Sequence, residues 1–183
     1  MKRLAGLMAL ALSVACGSSD NSGGSVGSVG GNALTINDAI FAIDSDNIMV
    51  LVASDRTGLC SLAQGTTAPT GKTTAFGVGL VNFNGSNLIA HVTGDYTITT
   101  SIPTGAGKYA QSEFVAANGC TISTDTLATS GTFTLNQVGT NSSGSHATGH
   151  FSLKFGADSL NGNVDATYCA ALLTSNKIPG CPP

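Results

Sequence analysis

Two consecutive stretches near the carboxyl end of this chain alternate small or apolar residues with polar ones, in steps of two. The first spans residues 146–155 and the second residues 160–168, and the turn Gly156-Ala157-Asp158-Ser159 separates them. Successive side chains of a β-strand point to opposite faces, so the pattern predicts two antiparallel strands, each with one buried and one wet face. The residues predicted to face inward are Ala147, Gly149, Phe151, Leu153 and Phe155 on the first strand, and Leu160, Gly162, Val164, Ala166 and Tyr168 on the second.

Shorter strand-like runs precede this hairpin. Residues 39–43 and 48–53 form a predicted hairpin whose apolar second arm reads as a central strand, and residues 59–63 form a helical turn. A further strand is predicted over residues 73–83, where Gly77 and Gly79 indicate a bulge or a close backbone approach. Residues 88–92 are predicted to return beside it after the turn Asn84-Gly85.

The composition agrees with many short strands joined by tight turns. The chain has 24 glycines, only 9% charged residues and no tryptophan. No convincing helical periodicity beyond the amino-terminal segment exceeds about two turns. We therefore predict an all-β fold, an antiparallel β-sandwich or barrel of about 8–10 strands, in one domain over residues 33–183.

Residues 1–15 have the organisation of a secretory signal. Lys2 and Arg3 precede an apolar run over residues 4–12, and small residues follow up to Cys16. The apolar run is far shorter than the roughly 20 residues of a membrane-spanning helix. A basic start, a short apolar core and a small-residue cleavage site are typical of a signal peptide that is removed after export.

The segment Leu12-Ser13-Val14-Ala15-Cys16 resembles the lipobox of bacterial lipoproteins, with Ser13 where a leucine is usual. The resemblance implies that the signal is cut before Cys16 and that this cysteine is acylated and anchors the chain in a lipid bilayer. In that family, Asp after the cysteine tends to retain the protein at the inner membrane. With Gly17 there, the resemblance implies the outer membrane if the cell is Gram-negative, with the protein facing the periplasm or the cell surface. The alternative is an ordinary signal peptide with a cysteine near the cut by chance.

The segment after Cys16 is rich in glycine and serine. Residues 16–32 are therefore predicted to be the lipidated cysteine and a flexible tether, which spans roughly 20–25 Å on average. Loss of Lys2 and Arg3 with the signal leaves 5 basic residues against 10 acidic ones, a net charge of −5. The remaining basic residues are scattered, which argues against nucleic acid as a partner.

Four cysteines remain once Cys16 is assigned to the anchor. An even count in an exported domain predicts two disulfides. Neighbours in sequence meet at the lowest entropic cost, which favours Cys60–Cys120 with Cys169–Cys181. A rival pairing, Cys60–Cys169, would join the end of an early strand to the end of the last one. A zinc site is disfavoured because no C-x-x-C motif occurs.

No motif predicts a catalytic residue, a cofactor or a metal. His146 and His150 would lie about 13 Å apart on a strand, too far for one ion, and are read as solvated, while His91 is distant in sequence.

Asp44-Ser45-Asp46-Asn47 starts like a calcium loop but lacks its glycine and glutamate, so a plain turn is favoured. Gly23-Gly24-Ser25-Val26-Gly27 matches G-x-S-x-G without the strand and helix of a nucleophile elbow. Glu113 is predicted on a wet strand face, and Arg56 is predicted to order its loop or to be solvated.

Three functions are compatible with these features. The first is a membrane-anchored envelope lipoprotein that serves as a non-catalytic structural or binding module, with its wet sheet faces and loops making the contacts. The second is an exported hydrolase with a site built from loops. The third is a barrel that binds a small apolar ligand, which requires an apolar cavity.

Overall fold

The computed structural model describes residues 25–65 and 69–174, and this part of the chain is almost entirely β-structure. It contains twelve strands, one short α-helix and one 3₁₀ helix. These elements are β1 (Ser25–Val29), β2 (Asn32–Thr35), β3 (Asp38–Ile43), β4 (Met49–Ser54), α1 (Leu59–Gln64), β5 (Lys72–Asn84), β6 (Asn87–Leu88), β7 (Gly94–Ile98), β8 (Gly107–Asn118), β9 (Thr121–Leu127), β10 (Ser130–Gln137), β11 (His146–Phe155), β12 (Asp158–Tyr168) and the 3₁₀ helix (Ala170–Thr174).

Eight of these strands close into a barrel. Their order is β11-β10-β7-β8-β5-β4-β3-β12, and β12 pairs with β11 to complete the ring. Neighbours are antiparallel except for the pairs β7–β8 and β12–β3, which are parallel. The predicted all-β fold is confirmed, and of the two architectures left open the structure has the barrel, which leaves the ring strands without an unpaired edge.

The predicted terminal hairpin is present, but its turn is shorter than predicted, because β12 already begins at Asp158. Pairs run from His146 opposite Thr167 to Phe155 opposite Asp158, without interruption. The alternation places Phe151, Leu153 and Leu160 in the barrel interior, where they are fully or almost fully buried. The two alternating faces therefore correspond to the inside and outside of the barrel wall.

Aromatic rings fill the barrel interior. Phe76 and Phe151 meet at a centroid distance of 4.5 Å, and the inward side chains form one continuous apolar cluster. Gly149 faces Phe133 across the strand pair: a Cβ at this glycine would lie 2.5 Å from the Thr134 carbonyl oxygen and 2.9 Å from the Phe133 ring. A larger residue at this inward position would collide with the neighbouring strand and with the ring.

The structure shortens the predicted tether. Residues 25–32 form β1 and the turn into β2, and β1 pairs with the start of β12. Val29 is buried in the main cluster, and Val26 packs against it. Gly27 allows the close approach, because a Cβ there would lie 2.2 Å from the Ser159 carbonyl oxygen at a φ of +130°. The packing of two valines and the pairing with β12 place β1 in the sheet despite its Gly/Ser-rich composition. The rest of the predicted tether lies outside the described residues.

A second, smaller apolar layer lies outside the barrel wall. Helix α1 and the 3₁₀ helix pack over β3, where Leu59 and Leu172 cover Ile40. The disulfide Cys60–Cys169 joins α1 to the residue directly before the 3₁₀ helix.

The favoured disulfide pairing is therefore wrong, and its rival Cys60–Cys169 is confirmed. The physical reason is topological: β12 runs parallel to β3 and brings Cys169 beside it, where the chain leaving β4 has placed Cys60. Cys120 is also disulfide-bonded. Cys16 and Cys181 lie outside the described residues.

Two local predictions around β5 need correction. The pairing of β5 with β4 and β8 continues through Gly77 and Gly79 without a register shift, so these glycines form no bulge. The returning strand is only β6, since residues 89–92 leave the sheet. The Asn82 side chain donates to the Ala90 carbonyl at 2.7 Å, and this bond turns the chain away from β5.

Candidate functional site

The outer wall of the barrel carries a groove of about 350 Å³ over β4, β5, β8 and β9. Its floor crosses the sheet along one row of paired residues: Val52, Gly77, Glu113 and Leu127. Leu172 of the 3₁₀ helix also lines it. The groove is concave and its lining is predominantly apolar.

The groove exists because two outward positions on a central strand are glycines. A Cβ at Gly79 would meet nothing within 4 Å, and one at Gly77 would make only ordinary contacts at 3.9 Å. Neither has a positive φ. Backbone geometry therefore does not require glycine at these positions, and their effect is to leave a depression between β4 and β8.

The opposite side of the barrel presents a polar face with few charged side chains. Two rows of paired residues cross β7, β10, β11 and β12 there, and they point away from the interior. One row is Asp95, Thr134, His150 and Asn163, and the other is Thr97, Thr132, Ser152 and Asn161. Short hydroxyl and amide side chains on a rigid sheet offer many hydrogen-bonding groups at little conformational cost.

A buried polar cluster occupies the barrel end that carries the β3–β4 turn. The Nδ1 atom of His91 lies 3.3 Å from the Tyr96 hydroxyl, which donates to the Val92 carbonyl at 2.9 Å. The Lys108 Nζ atom sits 5.6 Å from the centroid of the Tyr96 ring and donates to the Thr93 carbonyl at 3.1 Å. The Nε2 atom of His91 is buried and makes no hydrogen bond within residues 25–65 and 69–174.

Burial shifts the pKa of both His91 and Tyr96. It lowers the pKa of His91, and the nearby Asn47 backbone and Asp44 carboxylate oppose this without cancelling it. Burial likewise raises the pKa of Tyr96. Both shifts favour the neutral forms of these side chains. The two rings are therefore better suited to packing at this end of the barrel than to supplying a charged group.

The lowered pKa of His91 predicts acid sensitivity. The unfolded chain takes up a proton near the ordinary pKa of 6.5, while the folded state resists it. Stability should be complete above pH 6.5 and fall below it, by at most about 1.4 kcal/mol per pH unit for one group. Urea unfolding between pH 7.5 and 5 should show this slope in wild type and in His150→Gln, and a shallower one in His91→Gln. An unchanged slope in His91→Gln would contradict the assignment.

His146 and His150 both point outward on β11, as predicted, but they differ in environment. His150 is exposed, whereas the Nδ1 atom of His146 lies 2.7 Å from the Asp165 Oδ1 atom. Asp165 pairs with Thr148, so the contact is a diagonal one across the hairpin. Sequence inspection missed Asp165, although the hairpin register places it within reach.

The acidic turn between β3 and β4 stabilises itself. The Asp44 Oδ1 atom accepts hydrogen bonds from the Asp46 and Ile48 amides, both at 2.8 Å, and Asn47 has a φ of +61°. This carboxylate holds the turn in the way expected of Asx residues. Among residues 25–65 and 69–174, no group of three or more His, Cys, Asp or Glu side chains could hold a metal ion.

Arg56 orders its loop, as one of the two predictions for it stated. Its guanidinium donates to Thr73 Oγ1 and to the Lys72 carbonyl, both at 2.8 Å, and to the Thr70 carbonyl. Asp55 beside it accepts from the backbone and side chain of Thr74. Asp55, Thr73 and Thr74 line a hollow of about 530 Å³ at the other barrel end, and the bonds of Arg56 and Asp55 hold the start of β5 in place.

Two other sequence candidates have clear positions. Glu113 lines the outer groove rather than an open wet face. Ser25 begins β1, and the chain continues through Gly27 into the sheet, so the G-x-S-x-G match is not followed by a helix. Gly23 and Gly24 lie outside the described residues.

Comparison with known proteins finds no matching family model, no matching curated protein and no matching solved structure. Across residues 25–65 and 69–174, no helix is both long and apolar enough to span a bilayer.

Proposed function

We propose that this chain is an exported lipoprotein, acylated on Cys16, whose barrel is a non-catalytic binding module held near a bilayer. The observation that carries the proposal is the Cys60–Cys169 disulfide in a chain whose first residues read as a lipoprotein signal. Disulfides persist in oxidising compartments such as the cell envelope. Export is the one event that both features require.

The position of β1 supports an anchored barrel. Cys16 and Ser25 are nine residues apart (25 − 16), so β1 starts at most about 32 Å from the acylated sulfur. Two anchoring signals suffice for stable membrane attachment, and the lipobox resemblance implies three acyl chains. The barrel would thus remain close to the lipid surface, most consistently that of the outer membrane, as Gly17 suggests.

A binding role fits the surfaces better than a chemical one. Burial lowers the pKa of His91 and raises that of Tyr96, which favours the neutral form of each, and the Nδ1 atom of His91 lies 3.3 Å from the Tyr96 hydroxyl. The polar face of β7, β10, β11 and β12 is instead exposed and rigid. We assign partner contact to this face, because hydroxyl and amide groups on a barrel wall can bind a polar protein or glycan surface without a cleft.

Acylation is the decisive test of this proposal. Cells fed a labelled fatty acid should incorporate it into the wild-type chain and into Ser18→Ala, but not into Cys16→Ser. The Cys16→Ser protein should also retain residues 1–15, since the cut depends on the modified cysteine, while its barrel still folds. Equal labelling of Cys16→Ser and wild type would refute the anchor. Reduced cysteines in cytosolic protein would refute export.

A further inference from the structure

The loop between β6 and β7, residues 89–93, turns one ring into the barrel and two apolar side chains out of it. His91 is buried, whereas Ile89 and Val92 are 40% and 51% exposed. Five large apolar side chains are exposed in residues 25–65 and 69–174, and two of them lie in this short loop. Their clustering indicates a contact with an apolar surface outside the chain.

The outer wall next to the loop continues this apolar surface. Leu88 pairs with Phe83, whose ring lies 6.5 Å from that of Tyr109, and all three side chains are half-buried. The Tyr109 hydroxyl donates to the Ala106 carbonyl at 3.2 Å. Aromatic rings with a polar tip are enriched where a protein meets the boundary between lipid tails and water.

The backbone of the loop is bonded to the barrel rather than to solvent alone. Five of its backbone groups form hydrogen bonds with Asn82, Tyr96 and Lys108. The amide and the carbonyl of Val92 both bond to the Tyr96 hydroxyl, at 3.3 and 2.9 Å. Unbonded backbone groups are costly near lipid tails, so these bonds lower the cost of bringing the loop to a lipid surface.

The two ends of the barrel differ in charge. Residues 85–93, 99–106 and 138–145 form loops at the end that carries the β3–β4 turn, and they contain no Asp, Glu, Lys or Arg. The β3–β4 turn adds Asp44 and Asp46, so we expect the apolar side chains rather than lipid charge to drive a contact at this end. The other end bears four charged side chains, Asp55, Arg56, Lys72 and Asp158.

The proposed acyl anchor can bring the uncharged loops to a bilayer. Strand β1 runs antiparallel to β12, so Ser25 is the residue of β1 nearest to this end. Val26 lies beside Gly162, six residues before Tyr168 at this end (168 − 162), which is roughly 20 Å along β12. The reach from Cys16 to Ser25, at most about 32 Å, exceeds this distance.

We infer that residues 89–93 contact the lipid surface to which the chain is anchored, with Ile89 and Val92 inserted at the boundary between headgroups and acyl chains. The inference rests on the acyl anchor of the proposed function. Because the anchor already holds the barrel near lipid, a small apolar contact suffices to orient it. The polar face of β7, β10, β11 and β12 then remains on the side of the barrel, open to a partner.

Tryptophan fluorescence tests this contact, since the chain has no tryptophan of its own. The acylated protein is purified from cells and added to phosphatidylcholine vesicles with or without bromine on the acyl chains, which quenches tryptophan in contact with them. We expect Ala90→Trp, in the exposed part of the loop, to lose most of its emission in brominated vesicles. Ala157→Trp, in the exposed turn at the other end, should keep its emission.

Charge in the loop should release it from the lipid. Ile89→Asp with Val92→Asp should abolish the quenching of Ala90→Trp without changing the melting temperature, because both side chains are exposed. Ile122→Asp with Leu127→Asp is the matched control, since it alters a similarly exposed apolar pair on β9, 41% and 50% exposed. This control should leave the quenching of Ala90→Trp intact. If the loop pair lowers the melting temperature, the comparison of Ala90→Trp with Ala157→Trp decides.

Flotation of the vesicles separates failure of the loop contact from failure of the anchor. If Ala90→Trp floats with the vesicles and shows equal emission with and without bromine, the loop contact is wrong and the anchor stands; a protein partner at this loop would give that result. Equal quenching of Ala90→Trp and Ala157→Trp, or quenching that responds equally to the two aspartate pairs, would also overturn the contact. If wild-type protein does not float, the anchor is wrong and the loop contact is wrong with it.

Discussion

Replacing Cys60 and Cys169 together by alanine should lower the free energy of unfolding by about 2–5 kcal/mol. The bond closes a sequence separation of 109 residues, and a loop of that length gives about 5 kcal/mol in the chain-entropy model. The bond also holds α1 and the 3₁₀ helix together over β3, where Cys169 is buried with Leu59 and Leu172. A total stability of about 5–15 kcal/mol is usual, so the loss would be a large share.

Urea unfolding of the oxidised protein, followed by far-ultraviolet circular dichroism, measures this loss. Ser61→Ala is the matched control, since it alters an exposed residue next to Cys60 in the same helix. We expect its midpoint to remain within experimental error of wild type, because surface substitutions usually change stability by less than about 0.5 kcal/mol. A double cysteine variant with the wild-type midpoint would show that the outer layer adds nothing to the barrel.

Phe76→Ala should destabilise the barrel by about 3–5 kcal/mol. Phe76 lies on β5, the strand between β4 and β8, and is fully buried with its ring 4.5 Å from that of Phe151. Its removal loses buried apolar area and leaves a cavity that closed strands on every side cannot fill. The change in melting temperature and in the urea midpoint reports the effect.

Phe83→Ala is the comparison for this variant. It deletes the same side chain from the same strand, but on the outer face, where Phe83 is half-buried and meets Tyr109 at a centroid distance of 6.5 Å. We expect a loss of about 1 kcal/mol. Similar losses in the two variants would mean that the interior of the barrel is not its main source of stability.

Much of the fold follows from local patterns in the chain. The inward and outward residues of β11 and β12 were predictable because every second residue contacts the interior. The β3–β4 hairpin and helix α1 were predictable from an acidic turn and a short apolar run. In each case the signal lies within about ten residues, the scale over which periodicity and turn chemistry act.

The misjudged elements have non-local causes. Residues 25–29 look like a linker by composition, yet Val29 enters a core built by strands more than a hundred residues away. The Cys60–Cys169 pairing depends on β12 lying parallel to β3, a crossover that no local pattern encodes. From the sequence, Gly77 and Gly79 indicate only a local irregularity of the backbone. In the structure they line a groove, which depends on the strands on either side of β5.

The sequence by itself determined the predicted processing of this protein and the type of its fold. The prediction of Cys16 as the anchor comes from the sequence pattern of residues 1–16 alone and uses no tertiary structure. Period-two alternation likewise reports sheet structure directly, because it reflects the geometry of one strand. Only the tertiary structure decided that the sheet closes, which cysteines meet, and that a groove, a polar face and a buried histidine cluster exist. These features arise from residues far apart in the chain, whose proximity depends on the packing of all strands together.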